Sequence, residues 1–165
     1  MNLRVSRHLD LTFDRLIRAL GWDFGPDQLI TYVSEQRRKE LIIQRQLLPF
    51  SMTGGVLELA DADLIFLPPD LDAILGPLTL YHECGHLLLG YLPWISDNPP
   101  TYAEFLADHK VLWRQLEKQL IVGRGNYDSD EELAVEQLAR MIYRCTTKRK
   151  TTIPEIARRL YGYEA

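Results

Sequence analysis

Residues 82–86 read His-Glu-Cys-Gly-His, two histidines four positions apart with a glutamate beside the first. On a helix these histidines share a face, about 40° apart at 3.6 residues per turn, so both imidazoles can reach one metal ion. Imidazole is a borderline ligand that suits zinc, with Zn–N distances of about 2.0–2.1 Å. Glu83 lies about 60° around the helix from His86, which places it beside such an ion rather than on it. There it could take a proton from an attacking water and pass it to a leaving group. With four histidines and eleven glutamates in 165 residues, an HExxH string arises by chance in about six chains per thousand. The alternative is a pair of hydrogen-bonded core histidines with Glu83 bonded to an arginine. That arrangement costs several kcal/mol in an apolar helix unless every polar group finds a partner.

A zinc hydrolase site needs a third protein ligand and an open position for water. His86 is followed by Leu87-Leu88-Leu89-Gly90, so no third histidine comes at close range. His109 is the only later histidine and reads as an ordinary helix residue. A glutamate completing a His2Glu site is the better expectation. Two segments offer one, Glu104 to Asp108 and Glu131 to Glu136. In a helix from Thr101 to Leu120, Tyr102, Phe105, Leu112, Trp113, Leu116 and Leu120 make the apolar arc, and Glu104 and Asp108 fall nearly opposite it. In a helix from Ser129 to Arg144 the arc is Ala134, Leu138, Met141, Ile142 and Cys145, with Glu132 at its edge and Glu131 pointing toward it. Glu136, one turn on, could orient a ligating histidine. Ser129-Asp130-Glu131-Glu132 is also a capping box, so Glu132 competes between bonding back to Ser129 and reaching a metal.

Several elements must position these groups. Leu11 to Leu20 reads as a helix ended by Gly21, and Pro26 opens a second over Asp27 to Lys39. Leu41-Ile42-Ile43, Val56 to Leu59 and Leu64 to Leu67 read as three short strands, with Gly54-Gly55 and Asp61-Ala62-Asp63 as turns. The HExxH helix runs to about Tyr91, and Pro77 sets its start near Gly76. Its apolar residues lie on nearly all sides, so it is expected to be covered. The fold class is therefore α+β: a small, mostly antiparallel sheet packed against a helical bundle with a central HExxH helix. One domain over residues 1–165 is expected, its core about 10–145, followed by a basic linker at Lys148-Arg149-Lys150 and a short helix from Pro154.

Composition excludes several classes. Hydrophobic residues make up 46% and charged residues 25%, which rules out a disordered or fibrous chain. A net charge of −4 gives no overall basic field, so direct nucleic-acid binding is not expected. Two cysteines, Cys84 and Cys145, make no disulfide framework. The N-terminal stretch has no signal-peptide core, and the most apolar segment carries Asp72, His82, Glu83 and His86, so neither export nor a membrane span is expected and the location reads as cytoplasmic.

The segment His82-Glu83-Cys84-Gly85-His86-Leu87-Leu88-Leu89-Gly90 resembles the HELGHLLL-type helix of the ImmA/IrrE family of zinc metallopeptidases. Ala62-Asp63-Leu64-Ile65-Phe66 resembles the strand that precedes it there, and Glu132 to Ala139 resembles the family's third-ligand helix. Cys84 stands at a usual leucine and Ala134 at the second glutamate of that helix. The resemblance spans roughly residues 10–145. It implies Zn2+ held by His82, His86 and Glu132, with Glu83 as the catalytic acid–base. It also implies an endopeptidase acting on a specific regulatory protein, a helix-turn-helix transcriptional repressor. Two other functions fit the same residues: a catalytically silent protease-like protein that sequesters a repressor or toxin, and a metal-dependent hydrolase of a non-peptide substrate.

Overall fold

The computed structural model of the chain describes residues 1–48, 52–92, 97–108, 110, 113–114 and 129–147. Among these it forms five helices and a three-stranded sheet: α1 (Leu3–Leu20), α2 (Pro26–Arg37), β1 (Glu40–Arg45), β2 (Gly55–Glu58), β3 (Ala62–Leu67), α3 (Leu75–Leu89), α4 (Tyr102–Ala107) and α5 (Asp130–Thr147). The class is α+β. None of these helices is long and apolar enough to cross a membrane.

Helix α1 starts at Asn2, whose side chain accepts the Val5 N–H, and buries Val5, Leu9, Thr12, Phe13 and Leu16 along one stripe. Gly21 ends it at φ 77°, its N–H donating to the Ile17 carbonyl. Pro26 opens α2, which buries Leu29, Tyr32 and Val33. Its last residue, Arg37, donates to Asp63 and Glu58, and Lys39, just beyond its end, donates to Glu58 and the Leu59 carbonyl. Asp63 is 1% exposed, so its charge is tolerated only because the guanidinium meets it. This cluster ties α2 to the β2–β3 turn.

The sheet is mixed rather than mostly antiparallel. Its order is β1-β3-β2; β2 pairs antiparallel with β3, and β1 pairs parallel with β3. The sequence places a turn at Asp61-Ala62-Asp63, but Ala62 and Asp63 already belong to β3; the chain reverses just before them, with Val56 opposite Ile65. Turn signals say nothing of where β1 lies. Strand β3 is buried along its whole length, and a strand of that kind takes the middle position with neighbours on both edges. Its side chains alternate between two cores. Ile65 and Leu67 join Val56, the faces of α1 and α2, and the buried residues of α3 and α5. Leu64 and Phe66 join Leu57, Leu59, Met52 and Phe105 of α4 on the other face.

Helix α3 packs against α1, α2, α5, β2 and β3. Asp72 sets its first turn by accepting the Ile74 and Leu75 N–H groups, and Gly90, in the left-handed region at φ 70°, ends it. The single helix expected from Thr101 to Leu120 is interrupted: α4 stops at Ala107, and Asp108 leaves helical geometry. Lys148-Arg149-Lys150 and the expected C-terminal helix lie outside the described residues.

Candidate metal centre

Two helices bring the ligands together. Helix α3 presents His82 and His86 from successive turns, and α5 lies along it with Ala134, Val135, Leu138, Ala139, Ile142 and Cys145 buried. Glu132 sits one turn before that stripe, at its edge, and is half-buried. The Ser129 hydroxyl accepts the Glu132 N–H at 3.1 Å, so the capping interaction of the backbone is present. The Glu132 carboxylate nevertheless reaches the histidines.

Oε1 of Glu132 is 3.1 Å from His82 Nε2, and Oε2 is 3.6 Å from His86 Nε2. The two Nε2 atoms are 3.2 Å apart. These three side chains are the one group among the described residues whose donor atoms converge as a metal site requires. Tetrahedral ligands about 2.0–2.1 Å from zinc stand about 3.3–3.4 Å from one another. The observed separations of 3.1, 3.2 and 3.6 Å fall on either side of that spacing, the two carboxylate edges ending on different oxygens.

The protonation of the two rings bears on what the triangle can hold. His86 Nδ1 lies 2.5 Å from the Tyr91 carbonyl oxygen, which only accepts, so Nδ1 carries the hydrogen and donates it. Burial lowers the pKa of His86, and the neighbouring His82 lowers it further, against the opposing effect of the Tyr91 hydrogen bond and Glu132. The ring is therefore neutral near pH 7, and its Nε2 presents a lone pair to His82 and to a carboxylate oxygen. For His82, burial works downward, but the hydrogen bond to Glu132 and the charges of Glu83, Glu132 and Glu136 outweigh it and hold the imidazole above its ordinary value. One proton on His82 Nε2 serves the two edges that meet there and leaves the His86–Glu132 edge, at 3.6 Å, unbridged. A divalent cation serves all three. A backbone carbonyl holding the far nitrogen of a ligating histidine is the usual way its tautomer and ring orientation are fixed.

The donor set of two imidazoles and one carboxylate suits zinc in a hydrolytic site. His82 and Glu132 stay 28% and 24% exposed against 10% for His86, so the triangle is open to solvent on one side. Glu83 is buried beside it, its carboxylate against Gly54, the residue before β2. A Cβ on residue 54 would stand 2.7 Å from Glu83 Oε1 and 2.6 Å from Thr79 Cγ2. Cys84 points into the core, where burial pushes its thiol far up, so it offers no thiolate.

The other expected carboxylates fall elsewhere. Glu104 caps α4, accepting from the Thr101 N–H at 2.8 Å, on an exposed face. Glu131 is exposed and does not point into the apolar arc. Glu136 bonds Arg140 on the exposed side of α5. His109 lies outside the described residues. Two parts of the site are missing from the sequence reading. Gly90 carries the helix-stop signal that delivers the Tyr91 carbonyl, and Gly54 reads only as a turn, with no hint of the glutamate 29 positions later. No protein-family model, curated protein or solved structure matches the chain.

Proposed function

We propose that the chain is a zinc-dependent endopeptidase acting on a specific regulatory protein, with a helix-turn-helix repressor as its substrate. The observation that carries this reading is the Nε2, Nε2 and carboxylate triangle with a buried glutamate beside it. His82, His86 and Glu132 would hold the ion. Zinc, when bound, supplies a Lewis acid that acidifies water and polarises a carbonyl. Glu83 directly follows His82, the first of the two candidate ligands on α3, and its walled-in carboxylate is suited to hold a proton taken from water and return it to the departing amine. Tyr91 keeps the His86 lone pair aimed inward through its carbonyl.

Strand β2 supports a peptide as the substrate. It is at one end of the strand order and, among the described residues, pairs with β3 alone. It begins one residue after the contact between Gly54 and Glu83, so an extended chain added along its outer edge would pass the acid–base glutamate. The identity of the substrate class comes from the likeness of the helix at 82–90 to the ImmA/IrrE family.

The test is Glu83→Gln. Zinc content is expected to stay at the wild-type level, while cleavage of a panel of helix-turn-helix repressor proteins, followed by mass spectrometry, is lost. A variant that keeps its full regulatory effect in cells removes catalysis from the function and favours sequestration.

A further inference from the structure

Gly85 lies between the two candidate ligands on α3, three positions after His82 and one before His86. It is buried and faces Val135 of α5. Val135 is itself fully buried, and stands three positions after Glu132, one turn along the same side of α5. A Cβ on residue 85 would stand 3.2 Å from Val135 Cγ1, 3.4 Å from the Val135 carbonyl oxygen and 3.8 Å from its Cα. Carbon atoms in ordinary contact sit about 3.5–4.0 Å apart. Val135 has little means of evasion, because a β-branched side chain in a helix is held to one strongly preferred rotamer and the other two atoms are backbone. A side chain at residue 85 therefore presses α5 back at the turn next to Glu132.

We propose that Gly85 is a positioning residue of the metal centre, its missing side chain setting how closely α5 approaches α3 and so whether Glu132 reaches both histidines. The inference rests on the zinc reading of the triad. Relief of the 3.2 Å contact requires a movement of a few tenths of an ångström, and metal–ligand distances tolerate about 0.2 Å. Helix stability does not explain a glycine here, since alanine is the best helix former and glycine among the poorest. The close approach of the two helices does.

The experiment compares wild type, Gly85→Ala, Val135→Ala and the double variant. Zinc dissociation constants are measured by competition with a chromophoric chelator. The visible absorption of the Co2+-substituted proteins reports coordination geometry, and thermal unfolding in EDTA reports the fold. Gly85→Ala is expected to bind zinc about 10- to 100-fold more weakly, the range for groups that orient ligands, with a changed Co2+ spectrum and an unfolding midpoint in EDTA no lower than wild type. Val135→Ala removes the opposing methyls, so the double variant regains most of the affinity and the wild-type spectrum. Equal zinc affinity in wild type and Gly85→Ala overturns the inference alone, as does failure of Val135→Ala to restore binding. A Gly85→Ala chain that no longer folds in EDTA also overturns it, because the contact then serves the core and not the ligand. A wild-type chain that takes up no zinc overturns the metal reading and this inference together.

Discussion

Replacing Glu132 with alanine tests the metal centre most directly. The carboxylate supplies two of the three edges of the ligand triangle, at 3.1 and 3.6 Å, and leaves only the two imidazoles when removed. Losing a group that merely orients a ligand costs about 10- to 100-fold in metal affinity, so losing the anionic ligand itself should cost on the order of a thousandfold, or about 4 kcal/mol. Thermal unfolding converts this into a clear signal. With free zinc at a hundred times the wild-type dissociation constant, binding adds about 2.7 kcal/mol to the folded state. For a chain of this size that raises the midpoint by about 5–11 °C. At the same zinc concentration the variant sits at about a tenth of its own dissociation constant and gains less than about 0.1 kcal/mol, so its midpoint does not move. In EDTA the two proteins should melt within a few degrees of one another, since the loss then is one partly exposed acid in the first turn of α5, worth about 0.3–1 kcal/mol. Glu104→Ala and Glu131→Ala serve as controls and keep the full zinc-induced shift. A Glu132→Ala protein that shows the wild-type shift, or a Glu104→Ala protein that loses it, refutes the assignment.

Three further outcomes follow from the same structure. Gly54→Ala forces the Glu83 carboxylate to move by about 1 Å from a Cβ otherwise 2.7 Å away, so peptide cleavage should fall about a hundredfold with zinc content unchanged; unaltered turnover would show that this wall does not hold the base. Arg37→Ala strands the buried Asp63 charge and should cost about 3 kcal/mol in urea unfolding, and a loss under about 1 kcal/mol would mean the pair is dispensable. Burial alone would raise the Glu58 pKa, but the Lys39 hydrogen bond and the Arg37 and Lys39 charges outweigh it and hold the carboxyl below its ordinary 4.5. The stabilisation is therefore complete above the unfolded value and disappears as pH falls through the folded one, so Glu58→Gln should flatten the drop in melting temperature between about pH 5 and 3; a Glu58→Gln curve as steep as wild type excludes Glu58 as a source of acid sensitivity.

The candidate site was legible in the sequence where chemistry and helical period coincide. His82, Glu83 and His86 sit on one helix, and a four-residue spacing fixes their relative directions without knowledge of the fold. Glu132 could be placed at the edge of a helix by its own wheel, but not beside α3, because no local pattern records which helix packs on which. The same limit hid the parallel pairing of β1 with β3, since a short apolar run such as Leu41 to Ile43 looks alike in either direction. It also hid Gly54, whose role as the wall behind Glu83 exists only once the sheet lies against α3. The break after Ala107 escaped the periodic reading because Phe105 and Trp113 do share an apolar cluster, although the helix that was to join them stops between them.

If the triad holds an ion, the arrangement would make metal binding and folding one event. Two candidate ligands reside on α3 and the third on α5, about fifty positions later in the chain. The unfolded chain holds them apart, and they meet only when the α3–α5 contact at Gly85 and Val135 has formed. Binding free energy is then folding free energy. An ion at the triangle would tie the two helices that share the largest part of the core, so its stabilisation should be felt by the buried α3 and α5 residues rather than by the distal cluster around Phe66 and Phe105. Amide exchange is suited to separate these, because zinc should slow exchange most along 80–89 and 134–145 and least in α4. Equal slowing throughout would mean that the two cores open together and that the site is coupled to the whole fold.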